Sequence, residues 1–209
     1  MDKKQQLAKF LLDIKAFHFS FDRPFVWSSG IKSPVYTDNR KILSFPRLRN
    51  FVIEYFISLI DDFFPETQYI AGVATGALPY ASIIADRTGL PMVYIRPKPK
   101  QHGLKNQVEG FVPPQTKVVV IEDLISTGGS SLRAIEALRD QNAEVLGLIA
   151  VFTYGIPASV KNFEVNGVRW MTLTDIDQLV NQAMINGLLT KEQADFILNW
   201  RQNPNQQTK

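Results

Sequence analysis

The chain has no cysteine, so disulfides and thiolate metal centres are excluded. That composition suits a reducing compartment. It also lacks any apolar run long enough to cross a bilayer, so no membrane partner is expected. Met1-Asp2-Lys3-Lys4-Gln5-Gln6 has no extended apolar stretch behind it. No signal peptide is expected there, and the location is read as cytoplasmic. A large charge of one sign is missing too, because the formal net charge is only +3. Nucleic-acid binding usually needs a dense basic face, and none is expected here. Neither a Walker loop ending in Gly-Lys-Ser/Thr nor a G-x-G-x-x-G turn between strand and helix is present. No repeats and no interdomain linker interrupt the 209 residues.

What remains is an ordinary globular balance, 45% hydrophobic and 21% charged, enough for one α/β domain with a core and a small appendage. Leu7, Phe10, Leu11 and Ile14 recur at helical spacing. Residues 17–40 read as irregular. Ser44 and Pro46 open a helix whose apolar stripe runs from Leu48 to Ile60. Strands are expected at 69–73, 92–95, 145–152 and 170–173, and helices at 77–87, 132–138, 175–188 and 190–200. Thr190 and Gln193 form a capping box for the last helix. The polar tail from Asn203 is expected to fray. Residues 97–114 have no periodicity, and loops of that length inside compact domains are usually functional. Alternating strands and helices imply a mostly parallel sheet with helices on both faces.

The most informative stretch starts at Val118. Four β-branched residues read as a strand buried on both faces. It is expected to end at Glu122 and Asp123, where parallel sheets place their ligands. Successive strand residues point to opposite faces, so the two carboxylates should do different work. The turn from Ser126 to Ser130 can aim backbone N–H groups at an anion, reinforced by the dipole of the following helix. Gly128 and Gly129 allow close approach, and the hydroxyls of Thr127, Ser130 and Ser131 add donors. A lone Ser before a helix is more often a cap. Several anion-suited residues directly after an acidic pair favour a phosphate site.

This segment resembles the ribose-phosphate signature of the type I phosphoribosyltransferases. The resemblance implies that fold. It also implies that Glu122 and Asp123 hold ribose hydroxyls, while Leu124, Ile125, Ser126, Thr127, Gly128, Gly129 and Ser130 wrap the 5′-phosphate of phosphoribosyl diphosphate (PRPP). Ala74, Thr75 and Gly76 then match the family's diphosphate loop, with a strained peptide expected between Ala74 and Thr75.

Two further stretches narrow the resemblance. Residues 25–40 carry S-G-x-x-S-P-x-Y-x-D-x-R, an aromatic and polar segment able to stack on a flat ring and offer amides to its edges. It resembles the hood of orotate phosphoribosyltransferases. Arg96, Lys98, Lys100 and His102 open the long loop, and cations there would meet a leaving diphosphate. That loop resembles the catalytic loop of the same family, which closes over the site and reaches into the neighbouring subunit of a dimer. His18 has no such context and reads as structural.

The resemblance implies a hood over about 1–45, a core over about 46–174 and closing helices over about 175–202, all in one domain. It implies transfer of phosphoribosyl from PRPP to orotate, with Lys100, His102 and Asp123 catalytic. Ser28, Val35, Tyr36 and Ser126 would face the base. Mg²⁺ would be held mainly through PRPP, with Asp123 reaching it through water. The partners implied are the two substrates and a second copy, with residues 97–109 reaching its site.

The chain departs from the family pattern at Pro97, where many members have a second basic residue. It departs again at Ser28, where some have Lys, and near Tyr154, where some have an Arg contacting orotate. The orotate carboxylate is then expected to rely on hood amides, Ser126 and Lys32. Alternatives are a phosphoribosyltransferase for another base and a PRPP-sensing regulator without catalysis.

Overall fold

The computed structural model describes residues 1–27, 30–98 and 107–204. Helix α1 (Lys3–Asp13) starts at a capping box, with Gln5 N–H donating to Asp2 Oδ1 at 2.8 Å. Four short strands follow: β1 (Phe17–Phe19), β2 (Phe25–Val26), β3 (Lys32–Ser33) and β4 (Val35–Thr37). They pair as two antiparallel ladders, β1 with β4 and β2 with β3. The expected irregular segment thus has structure, but in strands too short for any local period to reveal. A 3₁₀ turn (Asn39–Ser44) leads into α2 (Pro46–Phe63). Pro46 sits at the first helical position, where its missing N–H costs nothing. Ser44 ends the 3₁₀ turn and makes no cap.

The core then alternates strand and helix: β5 (Tyr69–Val73), α3 (Leu78–Thr88), β6 (Met92–Ile95), β7 (Val108–Glu109), β8 (Lys117–Ile125), α4 (Gly129–Arg139), β9 (Glu144–Thr153), α5 (Pro157–Val165) and β10 (Trp170–Asp175). Helices α6 (Ile176–Ile185) and α7 (Lys191–Gln202) close the chain, α7 with the expected Thr190–Gln193 capping box. Six strands form one sheet in the order β10-β9-β8-β5-β6-β7. All neighbours are parallel except β6 and β7. This is the mostly parallel sheet between helices that the alternating strands and helices imply.

Strand alternation divides the core. Val119, Ile121, Ile149 and Val151 pack with α1, α2, α3, α6 and α7, whereas Val118, Val120, Leu148 and Ala150 pack with α4 and α5. Three further sequence expectations need correction. Strand β8 does not end at the acidic pair, because pairing with β9 continues through Leu124 opposite Phe152 and Ile125 opposite Thr153. Helix α4 begins at Gly129, before the apolar pattern that announces it. Helix α5 was not expected; it opens with Pro157 at its first position and buries Ser159 and Phe163. Among the described residues no helix is long and apolar enough to cross a membrane.

Candidate active site

Because alternation sets the two carboxylates on opposite faces, their surroundings differ sharply. Glu122 is 4% exposed and points to the α4 side. The Ser131 hydroxyl donates to its Oε2 at 2.9 Å, and the Asp123 N–H donates to Oε1 at 3.1 Å. Burial, then the charge of Asp123, pushes the Glu122 carboxyl well above the usual carboxylate range. Ser131 is therefore committed to Glu122 rather than to a bound anion, contrary to its reading as a donor. Asp123 lies on the other face and lines an open cavity of about 430 Å³. Burial raises its pKa, opposed by its own hydrogen bonds and by the charge of Arg40.

Three segments meet in that cavity: Thr75 and Gly76 from the β5–α3 connection, Asp123 and Leu124 from β8, and Tyr36 to Arg40 from the end of the hood. The first two segments approach each other closely. A Cβ on Gly76 would overlap the Asp123 carboxylate, so only glycine lets the connection lie against it. The Ala74–Thr75 peptide is cis, at the bond where the unusual peptide was expected. Ala74 spends its N–H on the Ile95 carbonyl, at 2.8 Å, and is not an open donor. Arg40 is the only cation among the described residues lining the cavity, and its Nε donates to Asp38 Oδ1 at 2.7 Å.

The phosphate turn lies beside this cavity at the end of β8. Gly128 takes a φ of +80°, and a side chain there would crowd Phe163 of α5 at 3.1 Å. Among the described residues the hydroxyls of Ser126, Thr127 and Ser130 have no hydrogen-bond partner. Ile125 is fully buried, and its carbonyl accepts from the Tyr154 N–H, so its side chain belongs to the core. The Thr127 carbonyl accepts from Asn162 Nδ2 at 3.1 Å, so α5 braces the turn. No sequence signal pointed to Asn162, because the helix that carries it was not anticipated.

On the base side, Tyr36 lines the cavity while Val35 is fully buried. The Val35 carbonyl accepts from Ser33 Oγ at 2.7 Å and from the Trp27 indole at 3.3 Å. Val35 thus supports the hood and does not face the cavity. Lys32 is exposed on β3 and absent from the cavity lining. Tyr154 is buried; its ring stacks on Trp27 at 4.2 Å and its hydroxyl accepts from the Thr37 N–H at 3.1 Å. Arg96 leaves β6 and pairs with Glu109 at 3.4 Å, whereas Lys98 is exposed. Ser28, Lys100 and His102 lie outside the described residues.

Comparison with known proteins points the same way as the geometry. The phosphoribosyl transferase domain model matches residues 39–178. An orotate phosphoribosyltransferase of Porphyromonas gingivalis is 47% identical, covering 95% of this chain and 94% of that relative. The chain belongs to the orotate phosphoribosyltransferase family. Within that family, the relative from Cytophaga hutchinsonii is 45% identical and covers 98% of both chains. The solved orotate phosphoribosyltransferase of Aeropyrum pernix superposes with a TM-score of 0.75 at 30% identity, covering 88% of this chain and 99% of that one. A Leishmania donovani UMP synthase superposes with a TM-score of 0.78 at 27% identity. That match covers 94% of this chain and 42% of the synthase.

Proposed function

We propose that this orotate phosphoribosyltransferase family member transfers the phosphoribosyl group of PRPP to orotate, releasing diphosphate and giving orotidine 5′-monophosphate for pyrimidine synthesis. The observation that carries this reading is the meeting of three parts in one cavity: the Asp123 carboxylate, the 75–76 connection and the hood wall at Tyr36. Those parts suit ribose, diphosphate and a flat base respectively.

The reaction needs no covalent nucleophile. The bond from the anomeric carbon to diphosphate breaks as the orotate ring nitrogen bonds to that carbon through an oxocarbenium-like state, and the proton on that nitrogen leaves to diphosphate or solvent. The protein then contributes positioning and charge stabilisation. Asp123 orients the ribose hydroxyls. Glu122, buried on the opposite face, holds the β8 backbone and the start of α4 in register through Ser131. The turn from Ser126 to Ser130 takes the 5′-phosphate with backbone amides and the hydroxyls of Ser126, Thr127 and Ser130. Arg96, Lys98, Lys100 and His102 stabilise the departing diphosphate, and loop closure over the site keeps water from consuming PRPP. Tyr36, with Ser28 and Ser126, faces the base, and Arg40 places a positive charge near it.

The donor set fits a magnesium ion brought in with PRPP. Among the described residues there is no cluster of three or more acidic, His or Cys ligands, and Asp123 offers hard oxygens at the cavity. Magnesium is usually held by one or two carboxylates plus substrate phosphates, and it would neutralise diphosphate charge. The full chain acts as one catalytic unit in the cytoplasm, paired with a second copy whose 97–109 segment completes the neighbouring site.

Diphosphate release from PRPP, measured with orotate, uracil, adenine and hypoxanthine in turn, tests the substrate. Release with orotate alone is expected. Release with a purine only would replace the base, and binding of PRPP with no release from any base would favour the regulator.

A further inference from the structure

The Asp123 carboxylate faces the cavity, but its backbone carbonyl has a separate attachment. The β5 ladder beside β8 ends at Gly72 opposite Ile121, while β5 itself runs on to Val73, paired with Ile95 of β6. Two residues beyond Ile121, Asn39 Nδ2 donates to the Asp123 carbonyl at 2.7 Å, across 84 positions of sequence. Asn39 is 3% exposed, and both of its oxygens accept hydrogen bonds as well. Its Oδ1 accepts from the Thr37 hydroxyl at 3.2 Å, and its carbonyl accepts from the Tyr80 hydroxyl of α3 at 2.7 Å. Thr37 is gripped a second time, by Tyr154 through its N–H. Tyr154, Thr37, Asn39 and Asp123 therefore form a continuous hydrogen-bonded chain between the hood and the carboxylate strand.

We infer that Asn39 is a positioning residue: it fixes the spacing between the base wall at Tyr36–Thr37 and the ribose carboxylate of Asp123, and so aligns orotate with PRPP already bound. The inference rests on the reading of the cavity as the orotate and PRPP site. Asparagine suits the position because one amide donates and accepts at once. Alanine would leave both the Asp123 carbonyl and the Thr37 hydroxyl without that partner in a buried setting. Aspartate keeps the shape and the acceptor but sets a carboxylate against a carbonyl.

The test compares the parent enzyme with Asn39→Ala and Asn39→Asp. For both variants, the KM for orotate at saturating PRPP should rise about tenfold, as the removal of buried hydrogen bonds implies. The Kd of PRPP for the free enzyme, read by calorimetry, should change by less than about threefold, because that alignment matters only once the base arrives. An unchanged orotate KM in folded variants would overturn the inference. So would orotate KM and PRPP Kd rising in proportion with a falling Tm, the mark of general loosening. If neither variant folds, Tyr154→Phe removes the hydroxyl at the other end of the chain while keeping the ring. The same split is expected there, and its absence would overturn the inference. A parent enzyme that fails to consume orotate would instead overturn the reading of the cavity, before any variant is made.

Discussion

Replacing Gly76 by alanine should damage the site more than the fold. A Cβ at Gly76 would overlap Asp123 Oδ2 and Cγ, with Oδ1 at 2.8 Å. Ordinary packing does not admit such close approaches, so the carboxylate or the connection must retreat by about 1 Å. Asp123 is only partly buried and borders an open cavity, so it can swing away without disturbing the sheet. Overpacking of this kind costs about 1–3 kcal/mol. Expressed as PRPP affinity, that is a weakening of roughly 5- to 150-fold. Gly72→Ala provides the contrast, because a Cβ there meets Ala81 Cβ at 2.8 Å inside the core. Its cost should appear in Tm. Calorimetric titration with PRPP and magnesium, beside thermal unfolding, reads both effects. PRPP affinity within twofold of the parent in Gly76→Ala would refute the placement of ribose against Asp123.

Other perturbations separate the remaining roles. Asp123→Asn should weaken PRPP binding while leaving Tm nearly unchanged; unaltered affinity by calorimetry would count against the ribose assignment. Lys100→Ala should lower kcat by at least about tenfold, since removing a cation that stabilises the departing diphosphate raises the barrier by upward of about 1.4 kcal/mol. An unchanged kcat with chemistry rate-limiting would sink that role. Glu122→Gln should alter the pH dependence of stability. The folded-state pKa of Glu122 is raised above its ordinary 4.5, so its contribution is complete below that value and is lost as pH rises through the folded pKa. The variant cannot ionise and should gain stability relative to the parent as pH climbs above 4.5 towards the raised folded pKa. Parallel unfolding curves across that window would contradict the buried, proton-holding state of Glu122.

The central strand, its turn and its helix could be read locally because β-branched residues, an acidic pair and a Gly/Ser turn follow one another without interruption. Alternation even anticipated the different surroundings of Glu122 and Asp123, although not that β9 pairing would carry β8 on to Ile125. The capping box at Thr190 was equally legible, since its partners lie three residues apart. The hood strands were not, because two- and three-residue ladders are set by distant partners. Phe17 pairs with Thr37, and the Trp200 indole donates to the Lys32 carbonyl at 2.9 Å from the far end of the chain. Helix α5 carries β-branched Val160 and Val165 and buries only two side chains, so it gives a weak amphipathic signal. Asn39 sat in view within the hood motif, but its role depends on a carbonyl 84 positions away.

Orotate absorbance followed over time with purified protein, PRPP and magnesium tests the central claim most directly. The account predicts loss of the orotate signal only when protein, PRPP and magnesium are all present, with diphosphate released in equal amount. Orotate left unconsumed, with PRPP still bound by calorimetry, would contradict it.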